Sequence, residues 1–166
     1  MGFTYKKILY IALFFIFIVI SILNTDTNSL TYQNQIMFTL AQIETAHRKV
    51  KSGAEFPKYI QEIKAIGVIA FETWVFDSHT KYFGLNDFQT QSTPKYDELS
   101  IANKCEKQEF NLCLKTHQKG ETDYFTFCKD CAATGIEKWM VNLERMTCSY
   151  YDKAGDEILV EDIPSI

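Results

Sequence analysis

Apolar and polar positions along the chain follow two periods, and they do so twice. In "FPKYIQEIKAIGVIAFETWVFDSHTKYFG" (56–84), a helical spacing of apolar residues gives way after Gly67 to alternation. The same change occurs after Gly135 in "YFTFCKDCAATGIEKWMVNLERMTCSYYD" (124–152). At an offset of 68 residues, without a gap, Phe56 meets Tyr124, Tyr59 meets Phe127, Phe71 meets Trp139, Val75 meets Leu143, Tyr82 meets Tyr150 and Phe83 meets Tyr151. An offset of 70 extends the match, bringing His47 to His117, Phe88 to Ile158 and Pro94 to Pro164. Self-similarity at a nearly fixed distance marks an internal repeat.

Each half predicts two helices and three strands. The first helices, 39–51 and 104–118, end at Gly53 and Gly120. The second, 56–66 and 123–134, end at Gly67 and Gly135, because glycine most readily takes the left-handed position after a helix. Thr39 and Gln42 form a capping box, Phe38 and Ile43 a hydrophobic staple, and Pro57 suits a first helical turn. Strands are expected at 68–76, 80–84 and 87–92, and again at 136–144, 146–152 and 157–162. The expectation is an α+β domain with an antiparallel sheet. It consists of two pseudo-symmetric ααβββ repeats, 38–94 and 104–164, joined by 95–103. Strand 87–92 ("DFQTQS") is polar and reads as an exposed edge open to a homodimer. Strand 157–162 ("EILVED") reads as interior.

The first 36 residues stand apart from this pattern. "ILYIALFFIFIVISIL" (8–23) carries no charge and follows Lys6 and Lys7. At about 1.5 Å per residue it spans about 24 Å, and Asn24 and Thr25 bring it near a hydrocarbon core of about 30 Å. No small-residue cleavage site follows. The reading is an N-terminal hydrophobic helix at 8–25 that anchors the chain in a membrane, N-terminus in the cytoplasm and domain outside. The alternative is a start at Met37, with a cytoplasmic domain, since translated AT-rich noncoding DNA gives the same composition. Residues 37–166 form the duplicated domain in either case.

The repeat also bears on "FTFCKDCAATG" (125–135). Tyr124, Phe127, Cys128, Cys131 and Ala132 follow the i, i+3, i+4, i+7, i+8 stripe of an amphipathic helix. Cys128 and Cys131 align with Ile60 and Ile63, so they read as small core residues. A redox pair is expected instead at a helix N-terminus. The metal alternative is a zinc site of Cys105, Cys113, Cys128 and Cys131, whose spacing is not that of two paired knuckles. The fifth cysteine, Cys148, falls on a strand.

The net charge of −4 adds one exclusion. Apart from Arg48-Lys49-Val50-Lys51 the sequence has no basic cluster, so nucleic acid is not an expected partner. No nucleophile elbow, phosphate loop or paired-histidine metal motif is present, and no cofactor is implied. Candidate acid–base residues are Asp77, His79 and Tyr82 on the first hairpin. Its counterpart keeps the tyrosine as Tyr150 but has neither the aspartate nor the histidine. His79 is expected at an exposed hairpin tip that buries little. Candidate ligand-platform residues are Trp74, Trp139 and Tyr150. His47 and His117, near the ends of the first helices, suit a structural role.

"SGAEFPKYIQEIKAIGV", "DSHTKYFG", "HQKGETDYFTFCKDCAATGIEKWMV" and "MTCSYYDKAGDEILVE" together resemble small bacterial proteins grouped as domain of unknown function 1398. The resemblance runs over roughly 37–164. Members often carry the label "phage envelope protein", which implies a prophage origin, and they typically begin at the position of Met37. The resemblance implies no established activity. The functional expectation is a non-catalytic binding or interaction module, with an acid–base enzyme at Asp77 and His79 as the alternative.

Overall fold

The computed structural model describes residues 38–50 and 55–164. The expected helix at 8–25 and the helix stop at Gly53 lie outside them. Among the described residues the element order is α1 (Leu40–His47), α2 (Phe56–Ala65), β1 (Ala70–Trp74), β2 (Thr80–Phe83), β3 (Gln89–Gln91), α3 (Lys107–Gln118), α4 (Tyr124–Ala133), β4 (Ile136–Asn142), β5 (Thr147–Asp152) and β6 (Glu157–Asp162). The domain is α+β, as the periodicity predicts.

Local chemistry sets the helix ends. Thr39 caps α1 through the expected box with Gln42. Phe38 and Ile43, the staple pair, are both buried. Proline opens α2. Asp123 caps α4, its carboxylate accepting from Thr126 N–H at 2.7 Å. Gly67, Gly120 and Gly135 all have positive φ beyond their helices. Helix α3 begins at Lys107 rather than 104, and Glu106 at its N-cap donates its N–H to the Thr134 carbonyl at 2.9 Å.

The six strands form one antiparallel sheet in the order β3-β2-β1-β4-β5-β6. Strands β1 and β4 pair at its centre, with Glu72 opposite Met140. Each third strand is thereby pushed outward, so β6 is an edge as β3 is. The interior placement expected for 157–162 is corrected by that pairing.

One sheet face lies under the helices. Tyr59 packs on Phe71, Phe127 on Trp139 and Phe110 on Tyr150. Phe110, Ile43, Ile60, Ile63, Ile136 and Leu143 are fully enclosed there. The alternate positions, Glu72, Trp74, Lys81, Lys138, Met140, Ser149 and Tyr151, point to the other face and keep part of their surface in solvent.

The segment after β3 doubles back over the first hairpin. Lys95 N–H donates to Asp77 O at 2.9 Å, Leu99 N–H to Phe76 O at 2.6 Å, and Tyr96 Oη to Val75 O at 2.7 Å. The hairpin tip is therefore covered, with Ser78 fully buried and Asp77 6 % exposed. This corrects the expectation of an exposed tip. The cause is long-range contact, which no local period reports.

Candidate functional site

The first hairpin turns tightly at 74–79. Trp74 N–H donates to His79 O at 3.0 Å, and Ser78 N–H to Trp74 O at 2.9 Å. Ser78 sits in the left-handed region at φ 60. That conformation costs a non-glycine residue about 1–2 kcal/mol. Its Oγ shares a 2.6 Å hydrogen bond with the Tyr124 hydroxyl, which ties the turn to α4.

The turn brings Asp77 and His79 together. Asp77 Oδ1 accepts the His79 backbone N–H at 2.9 Å and lies 2.6 Å from His79 Nδ1. A carboxylate there holds the proton on Nδ1 and leaves Nε2 as the available ring nitrogen. The imidazole lies parallel to the Trp74 indole, with 6.0 Å between centroids, and meets Phe76 edge-on at 5.3 Å. Its side chain is 19 % exposed. The result is a fixed imidazole that can exchange a hydrogen bond or a proton at one atom.

His79 begins a row that crosses the open face. Trp74 pairs with Lys138, Lys138 with Tyr151, and Tyr151 with Glu157. Lys138 Nζ stands 4.6 Å from the centre of the Trp74 ring and 6.0 Å from that of Tyr151. It bonds Glu72 Oε2 at 3.0 Å. Tyr151 Oη donates to Glu157 Oε2 at 3.3 Å. The ion pair and the cation–π contacts hold Lys138 in place between the Trp74 and Tyr151 rings.

The remaining candidates fall elsewhere. Tyr82 lies on the helix-covered face, where its hydroxyl meets that of Tyr59 at 3.5 Å, so it does not join the dyad. Burial raises its pKa above the ordinary tyrosine value. Trp139 and Tyr150 are core residues of that same face, and only Trp74 stands on the open one. Tyr150 Oη donates to Glu161 Oε1 at 3.0 Å. Cys128 and Cys131 are buried in α4, while Cys105 and Cys113 are half-buried, and all five thiols are free. Among the described residues no three His, Cys, Asp or Glu side chains are placed to hold a metal ion. His117 stacks flat on Phe127 at 4.4 Å and its Nδ1 lies 3.1 Å from Thr122 O, while His47 meets Tyr59 edge-on at 5.3 Å.

Lys138 and Glu72 are site residues that the sequence reading leaves out. A signal for the face was present. Trp139 aligns with Phe71, and Trp74 is an odd number of residues from Phe71, so the two tryptophans belong to opposite faces.

Residues 44–162 match a family model described as "Protein of unknown function (DUF1398)". No curated protein matches the chain.

Proposed function

The chain belongs to the DUF1398 family, and from that premise we propose that its domain is a binding module working through the open sheet face. The observation that carries this reading is the His79 ring, set by buried Asp77 beside Trp74 at one end of an aromatic row. A ligand would place a hydrogen-bonding group at Nε2 and a flat apolar part along Trp74 and Tyr151. Chemical-shift mapping of a fragment library on the ¹⁵N-labelled protein tests it. Hits should cluster on 72–81, 138–140 and 149–151. Trp74→Ala should weaken them about tenfold or more. Hits confined to the helix-covered side, or unchanged by Trp74→Ala, would reject it.

A second reading is favoured by the 2.6 Å Asp77–His79 contact alone: proton transfer at Nε2. It predicts that His79→Asn abolishes turnover, whereas the binding reading predicts only weaker binding. Because the tip is packed, His79→Asn should also lower stability by about 1–2 kcal/mol.

We further propose that the two ααβββ units arose by duplication. Shifting by 68 residues exchanges two hydrogen bonds at the sheet centre, Val75 N–H to Glu137 O (2.8 Å) and Leu143 N–H to Ile69 O (2.9 Å). It carries left-handed Ser78 onto left-handed Met146 (φ 55). An experimental structure in which 56–84 and 124–152 fail to superpose would reject it. Membrane anchoring through 8–25 is likewise proposed. Full-length protein should resist carbonate extraction, and N-terminal sequencing that finds only Met37 on soluble protein would reject the anchor.

A further inference from the structure

On the helix-covered side, α1, β2 and the segment after β3 line a cavity of about 240 Å³. Its polar lining is Glu44, His47, Arg48, Tyr82, Ser92 and Lys95. Several of these groups have capacity to spare. Lys95 Nζ makes no hydrogen bond or ion pair with a described residue; it lies 5.5 Å from the centre of the Tyr124 ring, with Glu44 the acid that acts on it. Ser92 Oγ accepts Thr80 N–H at 2.9 Å, which leaves its own proton to give. Tyr82 Oη meets Tyr59 Oη at 3.5 Å, the long limit of a hydrogen bond, and has Thr80 as its other side-chain neighbour.

The second half of the domain shows the same place filled. At the offset of 70, Leu40 aligns with Phe110 and Arg48 with Gln118. Phe110 is fully buried, its ring 4.9 Å from that of Tyr150. Tyr150 Oη and Gln118 Nε2 both donate to Glu161, at 3.0 and 2.9 Å. There the tyrosine is satisfied within the protein. In the first half a smaller leucine leaves room, and donors face that room.

The charge balance of the cavity is positive, with Lys95 and Arg48 against Glu44. Lys95 and His47 have exposed surface at the mouth, yet burial pulls both below their ordinary pKa values, with Lys95 adding to the effect on His47. At Lys95 the cost of burial outweighs the opposing pull of Glu44.

We propose that this cavity binds a small molecule through its carboxylate or phosphate group, with Lys95 Nζ, Ser92 Oγ and Tyr82 Oη donating to the oxyanion. The site is separate from the open-face row. The test is a ¹H–¹⁵N titration of the full chain with inorganic phosphate and, in parallel, with succinate. Either anion should give saturable shifts centred on Tyr82, Ser92 and Lys95, and the one saturating at lower concentration identifies the class. Lys95→Met should weaken binding about tenfold or more. Leu40→Phe, which installs the plug already present in the second half, should abolish it in a folded protein. Trp74→Ala should leave it unchanged, so failure here and failure of the open-face reading are separable. No saturable shift with either anion, shifts centred elsewhere, or an affinity indifferent to Lys95→Met and Leu40→Phe would overturn the proposal.

Discussion

Gly135→Ala is expected to destabilise the domain by about 2–5 kcal/mol, read as a lower urea midpoint at unchanged slope. Two effects combine. The residue sits at φ +82, which a side chain disfavours by about 1–2 kcal/mol. A Cβ there would also meet Lys104 O at 2.5 Å and Cys105 Cα at 2.9 Å. These are backbone atoms, and they cannot swing aside as a side-chain end can. The segment that carries them is pinned on both sides, by Ala102 N–H to Ala132 O at 2.8 Å and Glu106 N–H to Thr134 O at 2.9 Å. Relief of the clash would sacrifice those bonds or lift α4 off the sheet. Gly120 supplies the control. Its φ is +78, but nothing lies within 4 Å of its added Cβ, so Gly120→Ala should cost only the conformational part. Equal midpoint shifts for the two variants would show that the clash is absent and that close approach does not explain Gly135.

The same glycine shows what the sequence could and could not reveal. That a helix stops at Gly135 is local information, carried by the residue type and by the change of period around it. That the Lys104 carbonyl presses against it is not, because "IANKCEK" has neither helical nor strand spacing. The strands behave alike. Alternation located them and divided their residues between two faces, but it says nothing about which strand lies beside which. Hence the outer position of β6 and the neighbours of Trp74 were hidden: Lys138 joins the row only through the β1–β4 register. Asp77 and His79 were legible as a pair because they are two residues apart in a turn. Their burial was not, since it comes from Lys95, Tyr96 and Leu99 in a stretch whose polar composition suggests a solvated connection. Lys95 itself became a candidate only when the fold set it opposite Tyr82.

The cysteine pair of α4 gives the other large effect. Replacing Cys128 and Cys131 together by alanine is expected to cost about 1–3 kcal/mol per site, and to leave metal content unchanged. Both thiols are fully buried on the stripe of α4 that also carries Phe127 and Ala132. Removing the sulfur takes away buried apolar surface and leaves a void beneath the helix. Because the two lie one turn apart and share neighbours, the double variant need not equal the sum of the singles. Burial raises the pKa at both positions, most strongly at Cys131, and pushes Cys148 up to about 12. The thiolate that reacts with alkylating agents is therefore scarce as well as enclosed. A maleimide added to the folded protein should modify half-buried Cys105 and Cys113 and reach the other three only as the domain unfolds. In urea, all five should react. Rapid modification of Cys128 or Cys131 in the folded protein, or one equivalent of zinc lost on the double substitution, would show that these residues are a reactive or metal-binding pair rather than part of the core.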